Sequence, residues 1–322
     1  MHSFVDLDRV LGAVPAPLVM TLRDIDRGQG SEGLYLNQVP DLLTELANRA
    51  RVASITASSA LEGVVVKNRS RAAAIIANKP IELRTRSEQE LAGYRAALDY
   101  LFAEDWRPLN VGLLLHLHRL LFAETKAIGG TFKESDNLVV DRSPDGVQTV
   151  RFKPVPAART EYYTADLIDR YADAVKANQH HPVLLVGLFV LDLLIIHPFG
   201  DGNGRVARAL TNALLADAGY GIGRYVSLEQ LIAESADNYY QALLDSTHDW
   251  NDHANDPWPW LQYFSQLLAR GYARFAEGVA ADRSGGTKAE RVREHVLRHG
   301  APLFAISDVR AALPGISDPT IR

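Results

Sequence analysis

The sequence predicts an all-α protein interrupted by one β-hairpin, and three observations carry that prediction. Apolar residues recur at spacings of three and four, as Leu42, Leu43, Leu46 and Ala50 do, which is the period of an amphipathic helix. Only residues 129–153 change register, to two short β-prone pieces around Pro144-Asp145-Gly146, a hairpin signal with turn residues at its tip. The 322 residues include no Cys, which removes disulfides, thiolate zinc sites and cysteine nucleophiles; a chain of this length buries a full core without them.

Taken in order, residues 1–35 are mixed, and Gly28, Gly30 and Gly33 are expected to close them with a loop. A helix is expected over 39–60, with Gly63 as its C-cap. Two more are expected over 87–102 and over the Leu-rich 111–122, ahead of the hairpin. Helices then resume at 158–178, 183–196, 205–218, 227–245 and 258–277. The segment 183–196 is apolar except for Asp192; its 14 residues fall short of the ~20 that span a bilayer, so it reads as a buried helix. Residues 279–287 resemble a linker. Beyond them 288–298 and 306–313 are expected as short helices, with Asp318-Pro319-Thr320 opening a third.

Bulk properties narrow the function classes. Hydrophobic residues at 47% and charged residues at 23% are the balance of a soluble globular protein. The net charge of −5 argues against binding nucleic acid by bulk electrostatics. The first ten residues, MHSFVDLDRV, have neither the basic nor the apolar region of a signal peptide. A cytoplasmic protein without a membrane partner is expected.

One segment stands apart, His197-Pro198-Phe199-Gly200-Asp201-Gly202-Asn203-Gly204-Arg205-Val206-Ala207-Arg208. It follows an apolar helix and precedes an amphipathic one. Pro198 cannot continue the first helix, so His197 is expected at its end, facing a loop. Gly202 and Gly204 allow successive N–H groups to aim inward as an anion nest, and the dipole of the next helix adds to that site. Asp201 is a hard oxygen ligand suited to Mg²⁺ that bridges phosphates. Arg205 and Arg208, three apart, are expected on one face of the first helical turn, pointing back at the nest. Alone, Asp-Gly-Asn-Gly is a common turn, and it imitates half of a calcium loop, but the later acidic ligands of that loop are missing. The combination describes a polyphosphate site with a general base.

These twelve positions resemble the Fic signature, H-x-F-x-[DE]-G-N-G-R-x-x-R, at every fixed position. The likeness extends to a Leu-rich helix with His116, to Gly130-Thr131-Phe132-Lys133, and to Asn238-Tyr239-Tyr240, over roughly residues 40–250. The resemblance implies a Fic-type helical core at 106–250, preceded by an N-terminal helical region at 1–105 and followed by a helical extension at 251–280. It implies transfer of AMP from ATP to a Ser, Thr or Tyr hydroxyl of a target protein, with auto-AMPylation and with Mg²⁺ on Asp201. His197 would be the base. Gly202, Asn203 and Gly204 would cradle the phosphates and Arg205 and Arg208 would clamp them. Leu138, Val139 and Val140 would be the flap over the nucleotide, and Tyr239 and Tyr240 would flank the adenine. Lys133 stands where relatives often have Arg, Val140 where a small residue is common, and Thr247 where some offer Asn.

Upstream, Ser58-Ser59-Ala60-Leu61-Glu62-Gly63 resembles the family's inhibitory pattern, [ST]-x-x-x-E-[GN]. By that resemblance residues 54–63 form an inhibitory helix, with Ser58, Glu62 and Gly63 as its working residues, and Glu62 pairs with Arg208 in place of the γ-phosphate. A carboxylate at a helix C-terminus opposes the dipole by ~0.3–1 kcal/mol, so a compensating partner is expected. The resemblance also allows a homodimer, and removal of AMP by the same glutamate. Residues 288–322 resemble the first helices of a winged helix, cut short before its recognition helix is complete; DNA binding would need the intact module. Three readings follow: an autoinhibited adenylyltransferase; a Fic enzyme of other chemistry (AMP removal, UMP, phosphocholine or phosphoryl transfer); or a winged-helix regulator with a Fic core as sensor. His116 and His118, two apart, make a poor metal pair on a helix and read as structural, as do the four Trp residues.

Overall fold

The structure is a computed structural model; it describes residues 3–103, 105–142 and 148–283, together with 292, 293, 296, 306–313 and 316. Among these the helices are α1 (Leu7–Leu11), α2 (Ala16–Gln38), α3 (Pro40–Leu61), α4 (Arg69–Ile76), α5 (Arg86–Ala103), α6 (Val111–Phe122), α7 (Ala157–Ala177), α8 (Pro182–Ile196), α9 (Asn203–Asp217), α10 (Leu228–Ala233), α11 (Ala236–Asp245), α12 (Trp258–Arg283) and α13 (Ile306–Ala312). One antiparallel strand pair, β1 (Val139–Arg142) and β2 (Gln148–Phe152), follows α6, with Val139 opposite Phe152 and a register shift between Val139 and Val140. The fold class is therefore all-α, as the apolar spacing predicts.

The organising element is α8. Every residue from Val183 to Ile196 is buried, the signature of a helix enclosed on all sides. His181 caps its start by accepting from the Val183 N–H at 3.2 Å, with Pro182 in the first turn. Helices α7, α9 and α12 pack around it. Asp192, the only charged residue in α8, is fully buried; it accepts from the Ser3 N–H at 2.7 Å, the Ser3 hydroxyl at 2.9 Å and Trp250 Nε1 at 2.7 Å. Burial pushes its carboxyl up to about 7 against those hydrogen bonds.

Four elements differ from the sequence expectation. The loop expected at Gly28, Gly30 and Gly33 is instead the body of α2. A Cβ on Gly28 would come within 2.7 Å of the Tyr272 ring, so that glycine brings α2 against α12 rather than breaking it. The helix expected over 227–245 is two, α10 and α11. Ser235 stands at the break, with its hydroxyl on Leu231 O at 2.9 Å and on Tyr263 Oη at 3.0 Å, a side-chain alternative to the helical ladder. Helix α12 runs through residues expected as linker, to Arg283, because Val279 is buried in the core. Finally α4, unanticipated, is capped by Asn68 and buries Ile75 and Ile76. The turn Pro144-Asp145-Gly146 and the segment entering the expected third C-terminal helix, Asp318-Pro319-Thr320, lie outside the described residues. Of the C-terminal piece, Val309, Leu313 and Ile316 form a small cluster of their own with Val292 and Val296.

Candidate active site

α8 ends where Pro198 forbids another turn. His197, the residue before it, takes a left-handed conformation (φ 53°) while its N–H still bonds Leu193 O at 3.0 Å. A non-glycine residue at positive φ is uncommon and directs its side chain out of the helix course. His197 Nδ1 lies 3.1 Å from Leu194 O. A carbonyl only accepts, so Nδ1 carries the proton and Nε2 is the basic nitrogen. Burial holds the ring down to about 4, with the neighbouring Lys133 adding to the effect against opposing contributions from Leu194 O, Glu62 and Asp201. The imidazole is therefore neutral at pH 7.

The loop after His197 is held rigid from several sides. Asn203 grips Phe199 at both backbone atoms, accepting from its N–H and donating to its carbonyl, each at 2.8 Å. Phe199 stacks on His118 at 4.0 Å. His118 donates from Nε2 to Asp201 O at 3.2 Å and accepts at Nδ1 from the Gly130 N–H at 2.9 Å. Lys133, buried, donates its N–H to Pro198 O at 3.0 Å and its ammonium to Ile196 O at 3.2 Å and to Asn137 at 3.0 Å. A cation on the last carbonyls of α8 suits the dipole there, although burial lowers its pKa to about 8. His118 and Lys133 are thus the supports of the loop.

Gly202 (φ 82°) starts α9 with no side-chain cap, leaving the first N–H groups of the helix facing the loop. A Cβ there would also strike Leu121 and Phe122. Into the same place, from the end of α3, comes Glu62. Its Oε1 accepts from Arg208 Nη2 at 2.8 Å, and it lies so close to Gly204 that a Cβ on that residue would collide with it. Arg208, buried, is held also by Ser58, through Nε to the hydroxyl at 2.9 Å and Nη2 to the carbonyl at 3.0 Å. Gly63 follows at φ 74°, ending α3. A carboxylate thus sits at a helix N-terminus on an arginine, where an anion is expected to bind.

His197, Glu62 and Arg208 line one cavity of about 220 Å³ with Gly200 to Gly204, and Val139 and Phe152 of the strand pair meet them there. Tyr239, Tyr240, Leu243, Leu244 and Thr247 of α11 and its end form the far wall. The sequence anticipated His197, Asp201 to Gly204, Arg208, Glu62, Val139, Tyr239 and Tyr240 here. It did not anticipate Phe152, Leu194, Ile195, Leu243 or Leu244, whose apolar spacing marks only a helix or strand. Leu138 is exposed and does not line the cavity; the Val140 side chain lies outside the described residues.

Arg205 departs from the expectation that it points into the nest beside Arg208. It is buried and turns away to Glu90, Nη1 to Oε2 at 2.5 Å, with Nη2 3.3 Å from Asp201 Oδ1. Arg86 bridges the outer side, bonding Glu90 and lying 3.5 Å from Asp201 Oδ2. Residues three apart on a helix diverge by enough that two acidic partners, the buried Glu90 and the partly exposed Glu62, separate them. Because Arg205 and Glu90 are 2% and 4% exposed, Glu90→Ala leaves a buried guanidinium without its main partner. An unfolding free energy lower by about 3–5 kcal/mol is expected, measurable by urea titration.

Among the described residues no group of three or more His, Asp or Glu could enclose a metal, and no helix is long and apolar enough to cross a membrane. Asp201 by itself, its side chain 56% exposed, has the donor character that a phosphate-bridging cation requires.

A histidine at a helix end, an uncapped helix start and a buried arginine thus meet around one cavity. Residues 108–215 match the model of the Fic/DOC family. Protein adenylyltransferase Fic of Drosophila grimshawi is 31% identical over 134 residues, covering 41% of this chain and 26% of that protein. The Drosophila melanogaster protein of the same name is 29% identical over 134 residues, with 41% and 25% covered. The chain thus spans about a quarter of the length of these relatives. A Fic family protein from Desulfovibrio desulfuricans G20 has the same fold, with a TM-score of 0.67 at 23% identity over 96% of this chain and 87% of that one. A Fic domain containing signalling protein from Bacteroides thetaiotaomicron superposes with a TM-score of 0.62 at 21% identity, over 79% and 94%. Residues 108–215 are thus similar to the Fic/DOC family, and the chain shares the fold of solved Fic proteins.

Proposed function

We propose that this chain is an autoinhibited protein adenylyltransferase that moves AMP from ATP to a Ser, Thr or Tyr hydroxyl of a target protein. One observation carries the reading: a half-buried histidine shares a cavity with an uncapped helix start and a buried arginine. The target hydroxyl gives its proton to His197 Nε2 while its oxygen attacks the α-phosphorus of ATP. The bond from that phosphorus to the bridging oxygen breaks, and pyrophosphate leaves. The N–H groups opening α9 and the Arg208 guanidinium neutralise the β- and γ-phosphates. Tyr239 and Tyr240 face the nucleoside. Asp201 would hold Mg²⁺, which supplies further charge neutralisation on the phosphates.

Inhibition follows from where Glu62 lies. Its carboxylate occupies the helix start and Arg208 at once, so the terminal phosphate has neither until Glu62 moves. Relatives named protein adenylyltransferase support AMP as the transferred group.

The test uses ATP labelled at the α- or γ-phosphate, Mg²⁺ and the Glu62→Gly variant, with label followed on the variant itself and on added soluble proteins. Protein-bound α-label with release of pyrophosphate supports the reading. Protein-bound γ-label alone would replace it with phosphoryl transfer. ATP binding with no label on any protein would overturn it.

A further inference from the structure

Behind Arg208, on the side away from the cavity, lies a second acid that the reaction scheme does not use. Glu229, in the first turn of α10, is fully buried. It accepts from the Tyr94 hydroxyl at 3.1 Å, from Asn212 Nδ2 at 2.8 Å and from the Ser227 hydroxyl at 3.3 Å. Each of these contacts places a donor on a carboxylate oxygen. Tyr94, also fully buried, donates to Glu229 and stands close enough to Ser58 and Arg208 to interact with both, and Ser58 is the residue that receives Arg208 Nε. A second connection runs through Asn212, whose Nδ2 donates to Arg208 O at 3.1 Å and to Glu229. Four elements (α3, α5, α9 and α10) meet in this chain of neutral groups between one buried cation and one buried anion.

We propose that Glu229, acting through Tyr94 and Ser58, is a positioning residue that keeps Arg208 oriented to grip the terminal phosphate of the nucleotide. This rests on the nucleotide reading above and supplies what that reading lacks. When Glu62 leaves, a buried guanidinium loses its direct carboxylate partner, and a buried charge without compensation is strongly disfavoured. The chain to Glu229 remains in place on the opposite side. Polarised hydrogen bonds in a low-dielectric interior transmit that compensation. Ser58 accordingly has a role that outlasts inhibition: its helix delivers Glu62 to the cavity, while its hydroxyl links Arg208 to the deeper acid. Glu62 is the exchangeable counter-charge and Glu229 the permanent one.

The experiment measures the affinity of ATP, ADP and AMP in the Glu62→Gly background, alone and combined with Tyr94→Phe, Glu229→Gln or Arg208→Ala. ATP affinity is expected to fall about tenfold with Tyr94→Phe and with Glu229→Gln, AMP affinity to stay unchanged, and the two substitutions together to cost no more than the larger one. A structural role would instead weaken all three nucleotides alike, and that outcome, or no change in any, overturns the proposal. Tyr94→Phe removes one oxygen and preserves the buried ring, so it decides the matter even where Glu229→Gln does not fold. Arg208→Ala separates the two levels of inference. If it too leaves ATP and AMP affinities in their original ratio, the phosphate clamp itself is refuted; if it lowers ATP alone while Tyr94→Phe does not, only the relay is refuted.

Discussion

Glu62→Gly is expected to raise adenylyl transfer by roughly 10²-fold or more, because it removes an anion that stands where substrate phosphate must bind. The magnitude follows from the pair it breaks. Detaching one member of a buried ion pair costs about 3–5 kcal/mol, and each 1.4 kcal/mol is a factor of about ten. The Glu62 side chain is 31% exposed and Arg208 only 4%, so the lower end of that range applies. Glycine also relieves the helix: a carboxylate in the last turn of α3 works against the dipole, and only Arg208 and the α9 start offset that. The measurement is initial incorporation of α-label from ATP by wild type and variant under the same Mg²⁺. Equal rates would mean that Glu62 yields to ATP without cost, and inhibition would then have to be sought elsewhere.

Much of the site was legible because its chemistry lies in one contiguous stretch. Twelve positions from His197 to Arg208 contain the helix stop, the nest, the carboxylate and the Arg208 guanidinium, so backbone geometry alone brings these together. Glu62 was legible through the resemblance of Ser58 to Gly63 to the family's inhibitory pattern, since a helix end alone does not name Arg208 as its partner. The buried partners were not legible. Glu90 is 115 residues from Arg205 and Tyr94 is 135 from Glu229, and in each case the local sequence reads as an ordinary helical stretch. What makes them important is which helix packs against which, information held in the core as a whole. The mistaken loop at Gly28 has the same origin. Glycine lowers helix propensity by about 1 kcal/mol, and local reasoning counts only that; the close approach to Tyr272, far along the chain, outweighs this cost. Arg205 shows the complementary effect, since adjacency to a nest in sequence did not bring its side chain into the nest.

His197→Ala in the Glu62→Gly background is expected to lower transfer by ~10²–10⁴-fold, the range of a positioned general base, with ATP affinity retained because the phosphate groups meet α9 and Arg208 instead. The pH profile makes the expectation specific. A histidine at its ordinary value would lose its basic form as pH falls through about 6.5. Burial lowers His197 to about 4, so the neutral form persists well below neutrality. The rate at low substrate, kcat/KM, reports the free enzyme and should stay flat from pH 8 down to about pH 6, then decline only towards pH 4. An inflection near 6.5 that vanishes in His197→Ala would mean that the ring is solvated in the working enzyme. A profile unchanged in shape and height by His197→Ala would remove this residue from the chemistry. The opposite sign from an ordinary paired histidine is the point: a partner that stabilised the cation would raise the pKa and leave the base protonated at pH 7, whereas Leu194 O fixes the tautomer and burial keeps Nε2 bare. A helix that ends in a half-buried left-handed histidine therefore keeps Nε2 unprotonated at physiological pH, and the loop that follows holds the ring at the wall of the cavity.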